Sequence, residues 1–479
     1  MTYPGPLVIV GFLLAVAAVL QILRRWTVVM AWIAAAATGA VGTLIALVPL
    51  DETFTVGPLT IALGEPLVVL GRVVVIQPVD RLPLAFISLT ASVLFLIAWR
   101  LLPHSNFFPV GVAIVGLLSA ALTVQQVVYA ALFVEMAAIL CVFPLREPHT
   151  GPEGNQYGRQ PRGGLQYLTY ATLALPGLMI TQLLLEQFAI FPGDLSLLRS
   201  ATILLGLSFA ILLGAVPFQS WLSAVATDGS PPVVTFLFTV NLGTVWFLLL
   251  AYLESYRWLG EQAEFASLFT SVGLLMMVIG GALAASQRQL GRIVGYATLV
   301  DNGAMFVALG TRQASGVTLT LIMLMARPLA LGLMTLGLDG LRRFGKGRDD
   351  VGALTGAAWQ VPWRTLAFMV GGIAMAGFPL SLGFSARWGL YRLMAEANLF
   401  RAILALSGSA GVMMGLVNSV RFLLAPVGED HERSAVNEDP IVLFLILTLI
   451  VSTFLLGVFP QLFSRVALQI TQAFTFFTQ

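Results

Sequence analysis

The chain has 479 residues, of which 58% are hydrophobic and only 10% are charged, and its formal net charge is +2. A soluble globular domain carries roughly 25% charged residues, so this composition excludes a soluble fold of this size. The near-neutral charge offers no basic surface for nucleic acid, and the single cysteine, Cys141, excludes a disulfide framework. Apolar runs of spanning length recur along the whole chain, which predicts an all-α polytopic membrane protein.

Hydropathy predicts about fourteen transmembrane helices, with short linkers between most of them. They fall near residues 5–23, 27–49, 83–102, 107–124, 126–144, 165–186, 198–216, 231–253, 264–285, 290–310, 315–338, 362–396, 399–425 and 440–459. The first run ends at Arg24 and Arg25 without a small-residue cleavage site, so we expect a retained helix rather than a signal peptide. The insertion 146–163 is rich in Gly and Pro, and the sequence assigns it no role.

Basic residues are concentrated in the loops that follow odd-numbered spans. Examples are Arg24, Arg146, Arg288 and Arg342, whereas the loops after even-numbered spans hold far fewer. Cytoplasmic loops of membrane proteins carry the excess of Lys and Arg. We therefore predict that both termini lie on the outer side of a bacterial cell membrane.

Two spans are predicted to be broken. Pro217 follows the seventh span, and Pro379 interrupts the twelfth, where each removes a backbone donor and clashes with the preceding turn. Breaks five helices apart predict two inverted five-helix repeats, and paired broken helices indicate an ion or substrate path. The predicted single transmembrane domain, 1–479, then divides into three helices at 1–103, repeats at 104–258 and 259–430, and a last helix and tail at 431–479.

Four ionisable residues fall inside predicted spans, where such groups are expensive and usually functional. Glu135 lies in the fifth span, Asp301 in the tenth, Arg327 in the eleventh and Arg387 just past the break of the twelfth. The two carboxyls are candidates for passing protons, and a buried structural ion pair or a hydrogen-bonded neutral acid is the alternative. Arg327, followed by Pro328, is expected to interrupt its span. Both arginines are also proton-path candidates, but they are expected to fix carboxylates or to snorkel to the membrane surface rather than to carry protons. Three acids near span ends are expected to be solvated: Glu186, Glu254 and Asp339.

Three stretches resemble the antiporter-like subunits of respiratory complex I, a family shared with Mrp-type sodium/proton antiporters and membrane-bound hydrogenases. The first is a proline, Trp-Leu and Pro-Pro-Val segment that bridges the seventh and eighth spans, and the second leads into the tenth span. The third is the most specific and continues through Ala-Gly-Phe-Pro to Gly-Phe-Ser-Ala-Arg-Trp. These stretches cover Pro217 to Val233, Gln287 to Thr298 and Asp349 to Trp388.

The resemblance implies a proton relay that this sequence lacks in its usual form. Family members use a Glu on the fifth helix, lysines on the seventh and eighth, and a Lys or Glu on the twelfth. Glu135 matches the acid by position. The positions of the family's bases hold no lysine: Leu212, Phe238 to Leu242, Gly291, Met325, Leu329 and, on the twelfth span, Arg387. A desolvated lysine can release a proton, whereas arginine does not.

The sequence leaves three functions open. The chain is a membrane-arm subunit of a proton-translocating NADH:quinone oxidoreductase, a proton-inactive structural subunit of that complex, or a subunit of an Mrp-type antiporter or membrane-bound hydrogenase. In the first case Glu135, Asp301, water and the small polar residues Ser208, Thr235 and Asn241 would replace the lysines.

Neither a metal site nor a cofactor site is expected in this chain, since its three histidines lie in connecting segments. The resemblance implies that NADH, FMN, iron–sulfur clusters and quinone bind partner subunits. It also implies sibling antiporter-like subunits as neighbours in the lipid bilayer.

Overall fold

The computed structural model describes residues 2–56, 59–69, 72–102, 105–147, 149–150, 156–157, 162–191, 194–256, 263–426, 438–462 and 468. Eleven of its helices are long and apolar enough to cross a bilayer. This confirms a polytopic helical membrane protein. Most of the insertion at 146–163 and most of the tail after residue 462 lie outside the described residues.

The first ten helices cover roughly the first half of the chain. They are α1 (Gly5–Ile22), α2 (Thr27–Leu47), α3 (Pro78–Leu101), α4 (Phe107–Thr123), α5 (Val127–Leu145), α6 (Arg162–Ile190), α7 (Leu195–Leu212), α8 (Ser220–Asp228), α9 (Pro231–Phe236) and α10 (Leu242–Ser255). A π-helical turn, Leu237–Asn241, joins α9 to α10, so that Pro231–Ser255 forms one 25-residue span, which is buried at every residue from 231 to 250.

The second half continues the helical pattern. Its helices are α11 (Ala263–Ser286), α12 (Leu290–Leu309), α13 (Ala314–Phe344), α14 (Ala357–Gln360), α15 (Pro362–Met375), α16 (Leu382–Ala397), α17 (Leu399–Leu423) and α18 (Pro440–Val458). Helix α13 runs through Pro328 without ending, so the predicted interruption at Arg327 was wrong. A proline inside a membrane helix is tolerated where neighbouring groups satisfy the backbone that it frees.

Short strands in the connecting segments correct the all-α prediction in detail. They are β1 (Thr2–Pro4), β2 (Thr53–Val56), β3 (Leu59–Ala62), β4 (Leu67–Val69), β5 (Arg72–Val74), β6 (His149–Thr150) and β7 (Gln156–Tyr157). β3 pairs with β1 in parallel and with β2 in antiparallel register, while β4–β5 and β6–β7 form two antiparallel pairs. Outside the apolar spans, pairing with another strand satisfies backbone groups that no helix serves.

The chain divides into two compact units. Unit 1 comprises Met1–Pro144, Tyr167–Leu213 and Phe236–Leu259, and unit 2 comprises Leu145–Gln166, Gly214–Thr235 and Gly260–Gln479. In unit 1, α4 is buried along most of its length and Phe107 packs edge-on against Phe236. In unit 2, every residue of α12 except Arg292 and Tyr296 is buried, so this helix lies at the centre of the unit.

Both predicted breaks separate two helices. Helix α7 ends at Leu212, and α8 begins only at Ser220, after Pro217. Helix α15 ends at Met375 and α16 begins at Leu382, with Pro379 between them. Gly377 has a φ of 75°, and a Cβ there would lie 2.4 Å from the Cγ of Arg387. Glycine is therefore required on conformational and steric grounds, and it brings the break next to the Arg387 side chain.

Helices α11 and α17 approach each other through glycines. A Cβ on Gly411 would lie 2.3 Å from the carbonyl oxygen of Gly281, and one on Gly281 would lie 2.7 Å from that of Gly408. Small residues of this kind let two membrane helices approach until their backbones touch. The short distance between α11 and α17 therefore depends on having glycine at these positions.

We predict that Gly411→Ala destabilises the protein by about 1–3 kcal/mol, because the added methyl group forces the two backbones apart. The midpoint of thermal unfolding in detergent measures this. Gly11→Ala is the matched control, since a Cβ there meets nothing within 4 Å. Equal midpoints for the two variants would show that α11 and α17 are not in close contact.

Candidate functional site

Asp301 is the centre of a buried ionic cluster in unit 2. It lies in the middle of α12 and is 5% exposed. The Asp301 cluster comprises this residue with Arg327 of α13 and Arg387 of α16. Each arginine is 1% exposed, so all three charged groups are removed from solvent.

Arg327 binds one oxygen of the Asp301 carboxylate. Its Nε donates to Oδ2 at 2.8 Å, and its Nη2 lies 2.7 Å from the same oxygen. Nη2 also donates to Oδ1 of Asn302, the next residue of α12, at 2.6 Å. One guanidinium thus spans two consecutive side chains of α12 and fixes α13 against it.

Arg387 binds the other carboxylate oxygen. Its Nη2 donates to Asp301 Oδ1 at 2.9 Å and to the carbonyl oxygen of Met375 at 3.3 Å. Met375 is the last residue of α15, where carbonyls lack helical partners. Nη1 donates to Ser409 Oγ at 3.3 Å, and that hydroxyl lies 2.6 Å from the hydroxyl of Tyr391. Arg387 therefore bridges the helix break, α12 and α17.

A small cavity adjoins the cluster. Its volume is about 10 Å³, enough for a single water molecule. Asp301, Arg327 and Arg387 line it together with residues from both sides of the helix break: Ala374, Met375 and Gly383. A water here would contact charged groups from three helices.

The charges of the cluster do not balance. Two guanidinium groups face one carboxylate, which leaves one excess positive charge when all three are ionised. Buried charges are costly unless paired and hydrogen-bonded. The oxygens of Asn302, Ser409 and Met375 accept the remaining bonds and disperse this excess. Asp301 thus pairs with both arginines at 2.7–2.9 Å.

A second buried pair in unit 2 was not anticipated from the sequence. Arg342 binds Asp349 through Nη2 at 2.8 Å and donates to the carbonyl oxygens of Gly229, Ala226 and Thr227 at 2.7–3.0 Å. The four arginines between residues 342 and 364 look alike in sequence, and only packing distinguishes this one. It anchors the C-terminal end of α8, whose last carbonyls lack helical partners.

This pair explains why residue 291 is a glycine. A Cβ on Gly291 would lie 2.6 Å from Arg342 Nη2 and 2.7 Å from Asp349 Oδ2. The backbone N–H of Gly291 also donates to Asp349 Oδ2 at 3.2 Å. No side chain fits at residue 291 while the Arg342–Asp349 pair is in place.

Asp339 corrects a prediction. It was expected to be solvated, yet it is 7% exposed, pairs with Arg343 at 2.9 Å and lies 3.9 Å from Arg364. Residue 339 lies five positions before the end of α13, and the helix is longer than hydropathy indicated. The acid is therefore enclosed by packing instead of reaching the membrane surface.

Glu135 lies in unit 1, separate from the Asp301 cluster. It is the ninth residue of α5, and its side chain is half-buried. The Thr172 hydroxyl of α6 donates to its Oε1 at 2.6 Å. Among the residues that the structure describes, no cation lies within 4.0 Å of the Glu135 carboxylate. This acid has a hydrogen bond but no countercharge from the described chain.

Asn241 forms a buried polar group within unit 1. Its Nδ2 donates to Cys141 Sγ at 3.2 Å and to the Tyr167 hydroxyl at 3.4 Å. Asn241 is 4% exposed, and within the described ranges its Oδ1 has no hydrogen-bond partner. It ends the π-helical turn of the α9–α10 span, and such turns are frequent at functional sites.

The other two small polar candidates differ in their surroundings. Ser208 of α7 donates to the carbonyl of Leu204 in its own helix and is thereby satisfied locally. In unit 2 the hydroxyls of Thr235 and Thr335 contact each other beside a second cavity of about 10 Å³. Within the described part of the chain, no group of three His, Cys, Asp or Glu side chains could hold a metal ion.

Residues 170–414 match the family model described as "NADH:quinone oxidoreductase/Mrp antiporter, TM". NADH-quinone oxidoreductase subunit N of Methylobacterium nodulans is 25% identical over 293 residues, which are 58% of this chain and 59% of that one. The chain spans about half the length of the curated relatives that it matches.

Two solved structures share the fold over nearly their whole length. A chain of the Mrp complex from a Dietzia species superposes with a TM-score of 0.79 at 15% identity, covering 98% of this chain and 97% of that one. A chain of respiratory complex I from Thermus thermophilus gives 0.74 at 17% identity, covering 99% and 100%. At these identities the likeness establishes the fold alone.

We predict that Asp301→Asn is more damaging than Arg387→Met. Asp301→Asn leaves two buried guanidinium groups without a carboxylate, which destabilises the folded protein by about 3–5 kcal/mol. Arg387→Met leaves Asp301 paired with Arg327 alone, so that one carboxylate still balances one guanidinium group. Thermal unfolding of the purified protein and its abundance in membranes measure the difference.

Glu396→Gln is the control for this comparison, because its exposed pair with Arg392 contributes about 0–1 kcal/mol. A midpoint for Asp301→Asn that equals this control would contradict the role assigned to the cluster.

Proposed function

Because the chain belongs to the NADH:quinone oxidoreductase/Mrp antiporter transmembrane family, we propose that it is an antiporter-like membrane-arm subunit of a proton-translocating NADH:quinone oxidoreductase. The observation that carries the proposal is the family match over residues 170–414, which include the Asp301 cluster and both helix breaks. The curated relatives that it matches bear the names of NADH-quinone oxidoreductase subunits.

We propose a proton path without lysines. Such a path depends on Glu135, Asp301 and bound water, because arginine does not release its proton. Glu135 accepts a hydrogen bond from a hydroxyl, and Asp301 adjoins a cavity of single-water size. Lys346, the one lysine of the chain, lies in the segment after α13 and not in a span.

A proton-inactive structural subunit of the same complex is the second candidate. The observation that favours it is the saturation of Asp301, whose two oxygens each bind an arginine at 2.7–2.9 Å. Such an acid holds helices together and has little freedom to exchange a proton. Membership in an Mrp-type antiporter or a membrane-bound hydrogenase is the third candidate, and the fold likeness to the Mrp chain is compatible with it.

The topology that goes with this proposal has fourteen crossings. Eleven helices qualify by length and composition, and we propose that α4, α12 and the broken pair α15–α16 cross as well. Two inverted repeats, at 104–258 and 259–430, would then place the α7–α8 and α15–α16 breaks at matching positions. An even number of crossings puts both termini on the same side of the bacterial cell membrane, and the excess of basic residues in the loops after odd-numbered spans favours the outer side.

The remaining parts of the proposal concern partners. NADH, FMN, iron–sulfur clusters and quinone would bind other subunits, and sibling antiporter-like subunits would flank this chain in the lipid bilayer. Any oxidoreductase activity then belongs to the assembled complex.

We predict that Glu135→Gln lowers the number of protons pumped per electron by the parent complex in membrane vesicles. The amide cannot take part in proton exchange, so transfer through this subunit slows by at least about a hundredfold. A native gel of the same membranes measures assembly.

Glu186→Gln is the matched control. Glu186 is an exposed acid of α6 that accepts a hydrogen bond from Gln182 at 2.9 Å. Unchanged stoichiometry in assembled Glu135→Gln complex would eliminate a path through Glu135 and favour the structural subunit.

A further inference from the structure

Helix α5 presents a continuous apolar face around Glu135. Leu132, Met136, Ile139 and Phe143 are 38%, 49%, 44% and 60% exposed. Their spacing of four, three and four residues places them on one side of a helix. We call these four residues the α5 stripe, and Glu135 lies at its edge, beside Met136.

Helix α6 continues this face within unit 1. Thr172, which donates to Glu135, is itself exposed, and its neighbour Leu173 is 55% exposed. The carboxylate and hydroxyl therefore form a polar pair on an otherwise apolar lateral surface. Glu135 lies at the middle of its 19-residue helix, far from either end and from the water at the membrane surface.

Contact with lipid is energetically unfavourable for a surface that carries a carboxylate. A carboxylate at the centre of a bilayer is costly, and acids in transmembrane segments almost always face a protein interior or pair with a cation. A single hydroxyl donor is weak compensation for a full charge. No described residue of this chain places a cation within 4.0 Å of the Glu135 carboxylate.

We propose that the α5 stripe and Thr172 bind a transmembrane helix of a different protein chain, which places an arginine or lysine against Glu135. At this depth the partner segment must be helical, because only a helix satisfies its own backbone in lipid. Its face must be apolar to match the stripe, with one cation at the level of Glu135. The neighbouring chain thus supplies the countercharge that the described residues of this chain do not give to Glu135.

A second copy of this chain does not fit the description. Its mid-span arginines, Arg327 and Arg387, are 1% exposed and bound to Asp301. The exposed arginines of its described helices lie within two turns of a helix end. The inference is independent of which redox or antiporter complex contains the chain.

The test places a photo-crosslinking amino acid at residue 136 of the full chain, in cells that assemble the native complex. The expected product joins residue 136 to another protein, and peptide mass spectrometry locates the attachment within one helical turn of an Arg or Lys in a transmembrane segment. The same probe at Val19 of α1, which matches Met136 at 49% exposed, controls for non-specific capture.

The role of the Glu135 charge is tested in the same preparation. The yield of crosslinked product is normalised to the amount of this chain in the membrane. Glu135→Gln and Glu135→Lys are expected to lower the yield from residue 136 by about tenfold or more, as loss of one member of a desolvated charge pair does. Glu135→Asp keeps the charge and is expected to retain most of the yield. The yield from residue 19 is expected to stay constant in all three.

Four outcomes would overturn the proposal. They are attachment to lipid alone, attachment to a second copy of this chain, attachment to a peptide with no basic residue within one turn, and an undiminished yield in Glu135→Lys. None of them bears on the proton-pumping test, so the interface and the proposed function can fail separately.

Discussion

The architecture of unit 2 depends on one carboxylate that binds two arginines. Asp301 projects from α12, which is buried at every residue except Arg292 and Tyr296, and its oxygens fix α13 on one side and α16 on the other. Because α16 begins after a break, nothing in its own backbone continues α15 into it. Arg387 closes this gap by binding both Asp301 and the last residue of α15. A broken helix in a membrane needs such support, since unpaired backbone groups are costly there.

The ionic groups and the glycines of this unit are interdependent. Gly377 leaves room for the Arg387 side chain, and Gly291 leaves room for the Arg342–Asp349 pair. A guanidinium is large and planar and needs several acceptors in fixed places. Arg342 and Arg387 therefore occupy space that a side chain at residue 291 or 377 would otherwise fill. This arrangement accounts for the glycine at residue 291, where a side chain would collide with Arg342.

The acidic residues of the two units have different surroundings. In unit 2, Asp301, Asp339 and Asp349 are buried and paired with arginine. In unit 1, Glu135 is half-buried and has a hydroxyl as its described partner. Paired buried acids stabilise a packed interior, whereas an unpaired acid on a lateral face is a site for exchange or for contact with another chain.

Sequence alone determined the membrane class, because apolar runs of spanning length do not depend on tertiary contacts. It also located both helix breaks, since Pro217 and Pro379 act through their own backbone, and it identified Glu135, Asp301, Arg327 and Arg387 as costly groups within spans. Only the tertiary structure decided which of these charges meet. Asp301 with its two arginines joins residues up to 86 positions apart, and Asp339 was judged solvated because its neighbours in sequence do not reveal the helices that cover it. Hydropathy reports the medium around a segment, whereas ion pairing depends on which helices pack side by side.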